Sequence, residues 1–222
     1  MLTMNSHIIY ASNLASDAEE RWLREQTYEI LSSIDEESLM LDAMNNVVDD
    51  EVPQSIKDGV IVDSIFTPVN GVSQDDVEIT VNTTLQKVGE VRSRSGVTSN
   101  VYVAAAEFEV KEDVHMSSKS GVKAWAFIYW VDNQGIENEL YAAAAQWDPG
   151  DYAISDRVVE YGVCDLTGLS WNDGPTTKYP TDNYPQYFDY GKYTGFKFKC
   201  QTEVNIVNIG TLKAFVTSSW TT

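Results

Sequence analysis

The amino-acid sequence predicts a mainly β protein, an antiparallel β-sandwich or flattened barrel preceded by an N-terminal α-helical segment. Apolar residues recur at helical spacing only before residue 55. After residue 56, Val, Ile, Thr and aromatic residues alternate with polar ones. Roughly seven to nine such runs follow one another with short Gly-, Asn- or Asp-containing turns between them, as in antiparallel sheets.

Three ranges follow from this change of pattern. Residues 1–15 are predicted to be a leader or the remnant of a signal peptide, because they are mildly apolar and end in Ile9-Tyr10-Ala11. A frayed N-terminus is the alternative. Residues 16–55 are predicted to form acidic amphipathic helices, and residues 56–222 the β-sandwich domain.

Two capping boxes predict where the helices begin. Ser16 with Glu19, and Ser33 with Glu36, have the S-x-x-E spacing in which side chain and backbone satisfy free N–H groups. Pro53 ends the apolar pattern. We therefore expect one broken helix or two short ones between residues 16 and 48, with apolar stripes that cover the β domain.

The strongest β signal is a hairpin whose first strand reads "GVKAWAFIYWV". Alternation places Trp125, Phe127 and Tyr129 on one face of this strand, and Ala124, Ala126, Ile128 and Trp130 on the other. Both faces are apolar, so the strand is predicted to be central. We expect the opposing sheet to cover one face and the N-terminal helices or a loop to cover the other.

Two cysteines occur, Cys164 and Cys200, and their spacing excludes a C-x-x-C zinc or redox motif. A disulfide between them would join two strands at the base of the segment that they bracket. Two unpaired buried thiols are the alternative.

The segment between the cysteines, residues 171–196, is rich in aromatic residues but also in Gly, Pro, Asn and Asp. It has no regular period, so we expect an irregular excursion that is too rich in aromatic rings to be disordered. Exposed rings can stack on sugars while Asp side chains bind hydroxyls. The candidate ligand-binding residues are Trp171, Asp173, Tyr179, Asp182, Tyr184, Tyr187, Tyr190 and Tyr193.

Two other interpretations of this segment remain open. Tyr and Trp also anchor protein–protein interfaces, so a surface protein is the second candidate partner after a polysaccharide. A loop packed by its own side chains would bury the same rings without binding any ligand.

Charge limits the classes of partner. Asp and Glu number 34 against 15 Lys and Arg, a formal net charge of −19. Such a chain repels nucleic acid and anionic membranes. No apolar run approaches the roughly 18 residues of a transmembrane helix. No cofactor is predicted. Calcium is the candidate cation, at the turn containing Asp148, Asp151 and Asp156, although the EF-hand spacing is not met.

Signals for catalysis are weak. The sequence has two histidines, and His115 lies in a turn near several serines without the G-x-S-x-G motif. Paired carboxylates, Glu107 with Glu109 or Glu137 with Glu139, would allow glycoside hydrolysis. Outward-facing acids on a solvated sheet have the same pattern. The sequence therefore favours a protein without catalytic activity.

The combined prediction is a secreted or cell-surface binding module that contacts a glycan through residues 171–196. The alternatives are an extracellular protein–protein interaction or structural envelope protein, and a glycan hydrolase that uses paired carboxylates.

Overall fold

The computed structural model describes residues 4–112, 120–133, 138–183 and 185–219. It is 52% strand and 18% helical, with two antiparallel sheets packed together and no closed barrel. The helices are α1 (Met4–Ser32), α2 (Glu36–Met44) and α3 (Gln54–Gly59). The strands are β1 (Val62–Pro68), β2 (Val77–Arg92), β3 (Thr98–Glu112), β4 (Val122–Asp132), β5 (Asn138–Asp148), β6 (Ile154–Val163), β7 (Thr176–Lys178), β8 (Gln186–Gly195), β9 (Phe198–Ile206) and β10 (Gly210–Thr217).

Each sheet has five strands. Sheet 1 has the order β1-β10-β9-β6-β7, and sheet 2 has the order β2-β3-β4-β5-β8. The predicted mainly β sandwich with helices at its N-terminus is confirmed. The strands that end each sheet, β1 and β7 in sheet 1 and β2 and β8 in sheet 2, leave the structure open rather than closing it as a barrel.

The N-terminal helices are two main pieces, but their boundaries differ from the prediction. α1 runs from Met4 to Ser32, so Ser16 lies inside it and does not cap it. The helix also includes most of the range assigned to a leader. α2 is capped by Asp35, whose carboxylate accepts hydrogen bonds from the backbone N–H groups of Glu37 and Ser38. The predicted Ser33–Glu36 box is therefore wrong by two residues.

Sheet 2 is covered on both faces, as the apolar residues on both faces of β4 predict. Ala124, Ala126, Ile128 and Trp130 pack between the two sheets. On the opposite face of β4, Trp125, Phe127 and Tyr129 lie in a second cluster with Leu31 of α1 and Leu39 of α2. The strand is therefore the middle of three layers, helix, sheet and sheet.

The alanine runs lie in strands at the centre of sheet 2, as predicted. Ala105 pairs with Phe127 across the β3–β4 ladder. Ala144 pairs with Phe127 from the other side, across the β4–β5 ladder. Small side chains flanking a large ring leave room for the helices to approach the sheet.

The predicted disulfide is wrong, because both cysteines are free and buried. Cys200 is opposite Tyr161 in the β6–β9 ladder. Cys164 lies three residues after Tyr161. Three residues of strand span about 10 Å, whereas a disulfide requires Cα atoms about 4–7 Å apart. An odd separation also places the two side chains on opposite faces of sheet 1.

Both thiols are expected to be unreactive in the folded protein. Burial raises the pKa of Cys200 to about 12 and that of Cys164 to about 11, so almost no thiolate exists at pH 8. Ellman's reagent at pH 8 should label neither cysteine before unfolding and both in urea. Failure to label either cysteine in urea without reductant would instead reveal a disulfide.

None of the helices within the described residues is both long and apolar enough to cross a membrane.

Candidate functional site

The outer face of sheet 1 carries a polar strip formed by β6, β9 and β10. Glu160 is opposite Gln201, and Glu203 is opposite Lys213, so these side chains share one face. Gln201 Nε2 donates to Glu160 Oε2 at 2.5 Å. Lys213 Nζ lies 3.0 Å from Glu203 Oε2. The strip therefore presents fixed carboxylates and amides on a rigid sheet.

At one end of this strip, Trp171 lies over a buried lysine. Lys199 Nζ is 4.2 Å from the centre of the Trp171 ring and 5.1 Å from that of Phe215. The ammonium also donates to the carbonyl oxygen of Leu169 at 2.9 Å. Lys199 is only 2% exposed, and burial lowers its pKa. This cation–π contact holds the half-buried indole in one orientation.

The loop that carries Trp171 is built around Asp165. Its Oδ1 accepts hydrogen bonds from Thr167 Oγ1 at 2.7 Å and from the N–H of Leu169 at 3.1 Å. The Thr167 hydrogen bond is the main reason why the pKa of Asp165 is lowered. Gly168 has φ +74°, a left-handed conformation that favours glycine.

A second buried lysine supports the same loop. Lys197 Nζ donates to the carbonyl oxygen of Leu166 at 3.3 Å and to that of Gly59 at 2.8 Å. The loop backbone is thus fixed from below at Leu166 and Leu169. Both leucine side chains remain outside, at 56% and 64% exposure.

Three of the predicted site residues are exposed, in the segments before and after β7. Asp173 is exposed two residues after Trp171. Tyr179 follows β7 and is 76% exposed. Asp182 is exposed in the connection from β7 to β8. Because β6 and β7 are antiparallel with Val159 opposite Lys178, Tyr179 lies at the opposite end of the β6 edge from Trp171.

Tyr187 and Tyr193 are placed elsewhere, between the sheets. Their rings pack around Tyr161, with centroid distances of 5.6 Å for Tyr187 and 6.3 Å for Tyr193. Tyr193 Oη hydrogen-bonds Thr176 Oγ1 of β7, and Lys178 Nζ lies 5.8 Å from the Tyr187 ring. These tyrosines therefore fill the gap between β7 and β8.

Two predicted residues remain. Tyr190 belongs to β8 by its backbone. Tyr184 lies outside the described residues.

The sequence predicts that residues 171–196 are irregular throughout. This prediction is wrong, because the segment contains β7 and β8. Leu140 pairs with Tyr193 and Ala142 with Phe188, so β8 has three more residues than β5 between the same two pairs. This bulge breaks the two-residue alternation by which a strand is recognised. Glu160, Lys199 and Gln201 were not predicted as site residues. The alternation in "FKFKCQTEV" does place Lys199 and Gln201 on one face of a strand.

The glutamate pairs proposed for hydrolysis are bound to other groups. Glu107 Oε1 lies 3.4 Å from Lys123 Nζ, and Glu109 Oε2 lies 3.1 Å from Lys111 Nζ. Glu139 accepts a hydrogen bond from Tyr141 at 2.8 Å. Glu137 and His115 lie outside the described residues. Each described glutamate therefore has a contact that fits a structural role.

The candidate calcium turn does not bring its carboxylates together. Asp148 accepts from the N–H of Gly150 at 3.0 Å, and Asp151 from the N–H of Ser120 at 2.7 Å. Asp156 accepts from the hydroxyl of Ser155 at 2.9 Å. In the part of the chain that the structure describes, no group of three His, Cys, Asp or Glu residues could hold a metal ion.

The arrangement on sheet 1 offers a fixed aromatic ring beside a strip of hydrogen-bonding groups. Such a surface can bind a ligand that has both an apolar face and hydroxyl groups. No protein-family model, curated protein or solved structure matches this chain.

Proposed function

We propose that the protein is an extracellular, non-catalytic module that binds a glycan on the outer face of sheet 1. The observation that carries the proposal is the Trp171 indole, held against the buried Lys199 ammonium at 4.2 Å. A ring that is already fixed loses little conformational freedom when a ligand stacks on it.

Polar groups next to the indole support a sugar as the ligand. A pyranose presents C–H groups on its faces and hydroxyls around its rim. The C–H face would stack on Trp171. The hydroxyls would reach Asp173 in the loop, and Glu160 and Gln201 on the strands. A few placed polar groups around an apolar contact are typical of small-ligand sites.

Charge favours a neutral glycan over an acidic one. The polar strip contains Glu160 and Glu203, and the whole chain has a formal net charge of −19. An anionic polysaccharide would be repelled by this field. We therefore expect binding to neutral glucans, mannans or xylans and little binding to polyuronates.

Replacing Trp171 with alanine tests the proposal. Wild-type protein should be retarded in affinity electrophoresis through at least one neutral polysaccharide. Trp171→Ala should weaken that binding about 30-fold or more, because truncating a central aromatic hot spot costs about 2 kcal/mol or more. Trp22→Ala, which removes a tryptophan of α1, is the matched control and should bind like wild type.

Two results would contradict the proposal. One is that Trp171→Ala binds as tightly as the wild type. The other is that no neutral polysaccharide retards the protein. Release of reducing ends from a bound polysaccharide would show hydrolysis instead and would contradict the non-catalytic part.

The exposed leucines favour a second candidate function, binding of a surface protein. Leu166 and Leu169 lie in the loop that carries Trp171, and both are more than half exposed. The double variant Leu166→Ser/Leu169→Ser separates the two functions. It should keep glycan binding if the sugar contacts Trp171, and it should lose binding if a protein docks on the leucines.

A further inference from the structure

The two long sides of the sandwich are closed differently. On the β7–β8 side, Tyr161, Tyr187 and Tyr193 fill the gap between the sheets. On the opposite side, a cleft of about 280 Å³ lies between β2 and the α3–β1 region. The cleft is lined by apolar side chains that include Val60, Val62 and Leu85.

The outer edge of β2 cannot close this cleft by pairing with β1, because residues 46–49 already occupy that edge. The N–H of Thr83 donates to Asn46 Oδ1 at 2.9 Å. The carbonyl of Leu85 accepts from the N–H of Asp49 at 3.0 Å, and Val48 forms a bridge with Leu85. Because β1 and β2 cannot pair, the arrangement of the strands leaves this cleft open.

Lys57 of α3 also lines the cleft, and its side chain is half-buried. Most other described lysines have an ion-pair, hydrogen-bond or cation–π partner. Examples are the ion pairs of Lys123 with Glu107 and of Lys213 with Glu203. Within the described residues, the Lys57 ammonium has no hydrogen bond and no ion pair. An unpaired, partly desolvated cation favours a bound anion.

We propose that this cleft binds a linear aliphatic carboxylate. The carboxylate would accept hydrogen bonds from the Lys57 ammonium and the Thr83 hydroxyl, and the tail would pack against Val60, Val62 and Leu85. A volume of about 280 Å³ is just below the range of about 300–1,000 Å³ typical of drug-sized ligands. The tail is therefore short or of medium length.

Charge restricts the ligand to a single negative group. Lys57 supplies one positive charge at the cleft, while the chain as a whole carries a formal net charge of −19. A phosphorylated or polyanionic ligand would add repulsion without a second cation to offset it. A monocarboxylate adds one negative charge, which the Lys57 ammonium beside it would neutralise.

Octanoate is the probe, followed by ¹H–¹⁵N NMR of the full chain. We expect saturable shifts of the amides of Val60, Val62 and residues 83–85. Octanamide has the same tail without the charge and should bind about tenfold more weakly or worse, because a hydrogen bond to a charged group contributes about 1.5–3 kcal/mol.

Variants test the role of Lys57 directly. Lys57→Met should weaken octanoate binding about tenfold or more, and Lys57→Arg should retain most of it. Lys111→Met removes the same charge at the exposed Lys111–Glu109 pair and should bind like wild type. Trp171→Ala should also bind octanoate normally, so this site and the glycan site can fail independently.

Three results would overturn the proposal. Shifts that stay linear with octanoate concentration would mean nonspecific association. Equal binding of octanoate and octanamide by the wild type would remove the role of charge. Unchanged octanoate binding in Lys57→Met would place the carboxylate elsewhere.

Discussion

Replacing Lys123 with methionine is expected to lower the free energy of unfolding by about 3 kcal/mol or more. The Glu107 side chain is 2% exposed, and Lys123 Nζ is the cation beside it, at 3.4 Å. The amide of Asn82 also donates to Glu107 Oε1 at 3.4 Å, but Oε2 has no hydrogen-bond partner within the described residues. Methionine keeps the apolar stem and leaves a buried carboxylate without its counter-charge.

The expected drop in melting temperature is about 6–12 °C for a chain of this size. Lys111→Met is the matched control, because its ion pair with Glu109 is more exposed, at 45% and 15% for the two side chains. It should cost less than about 1 kcal/mol. If both variants melt at the same temperature, the buried Glu107–Lys123 pair contributes no more to stability than the Lys111–Glu109 pair does.

A double-mutant cycle separates the two contributions. Glu107→Gln combined with Lys123→Met removes both charges and should recover most of the stability that Lys123→Met alone loses. If the double variant is as unstable as the sum of the single variants, the cost of Lys123→Met comes from lost packing rather than an unpaired charge.

Stability is expected to fall steeply as pH rises above about 9. In the unfolded chain both thiols ionise near pH 8.5. In the folded protein, burial raises the pKa of Cys164 to about 11 and that of Cys200 to about 12. Between these values the unfolded chain has lost protons that the folded protein keeps, so ionisation favours unfolding. Each thiol should contribute a loss of about 1.4 kcal/mol per pH unit in this window.

Buried tyrosines extend the effect above pH 10. Burial raises the pKa of Tyr129 and of Tyr141 above the ordinary value. The measurement is urea unfolding at several values between pH 7 and pH 11. Cys200→Ala should lower stability at pH 7, because it leaves a cavity. Above pH 9 the variant should lose stability less steeply than the wild type, by about 1.4 kcal/mol per pH unit, because one ionising thiol is gone. A wild-type stability that is flat from pH 8 to pH 10.5 would contradict the prediction.

The fold class could be predicted from sequence because side-chain periods report which faces are buried. In β4, alternate residues are apolar on both faces, and the structure places a sheet on one face and helices on the other. The start of α2 was harder to predict, since Ser33 and Asp35 are both good capping residues. Only the packing of the chain selects Asp35.

The pairing of distant residues could not be predicted with the same reliability. Cys164 and Cys200 lie in or next to neighbouring strands, as expected, but the disulfide fails because register decides which atoms meet. The bulge in β8 hides a strand from any test of alternation. The Trp171–Lys199 contact depends on both the loop and the register, so only Trp171 itself was identified beforehand.

The order of the strands has a consequence for how the protein folds during synthesis. Strands β2 to β5 are consecutive in the chain and adjacent in sheet 2, so they can pair as soon as each one leaves the ribosome. Sheet 1 has to wait, because Val62 near its start pairs with Val216 near its end. The surface that carries Trp171 is therefore expected to be the last part of the protein to form.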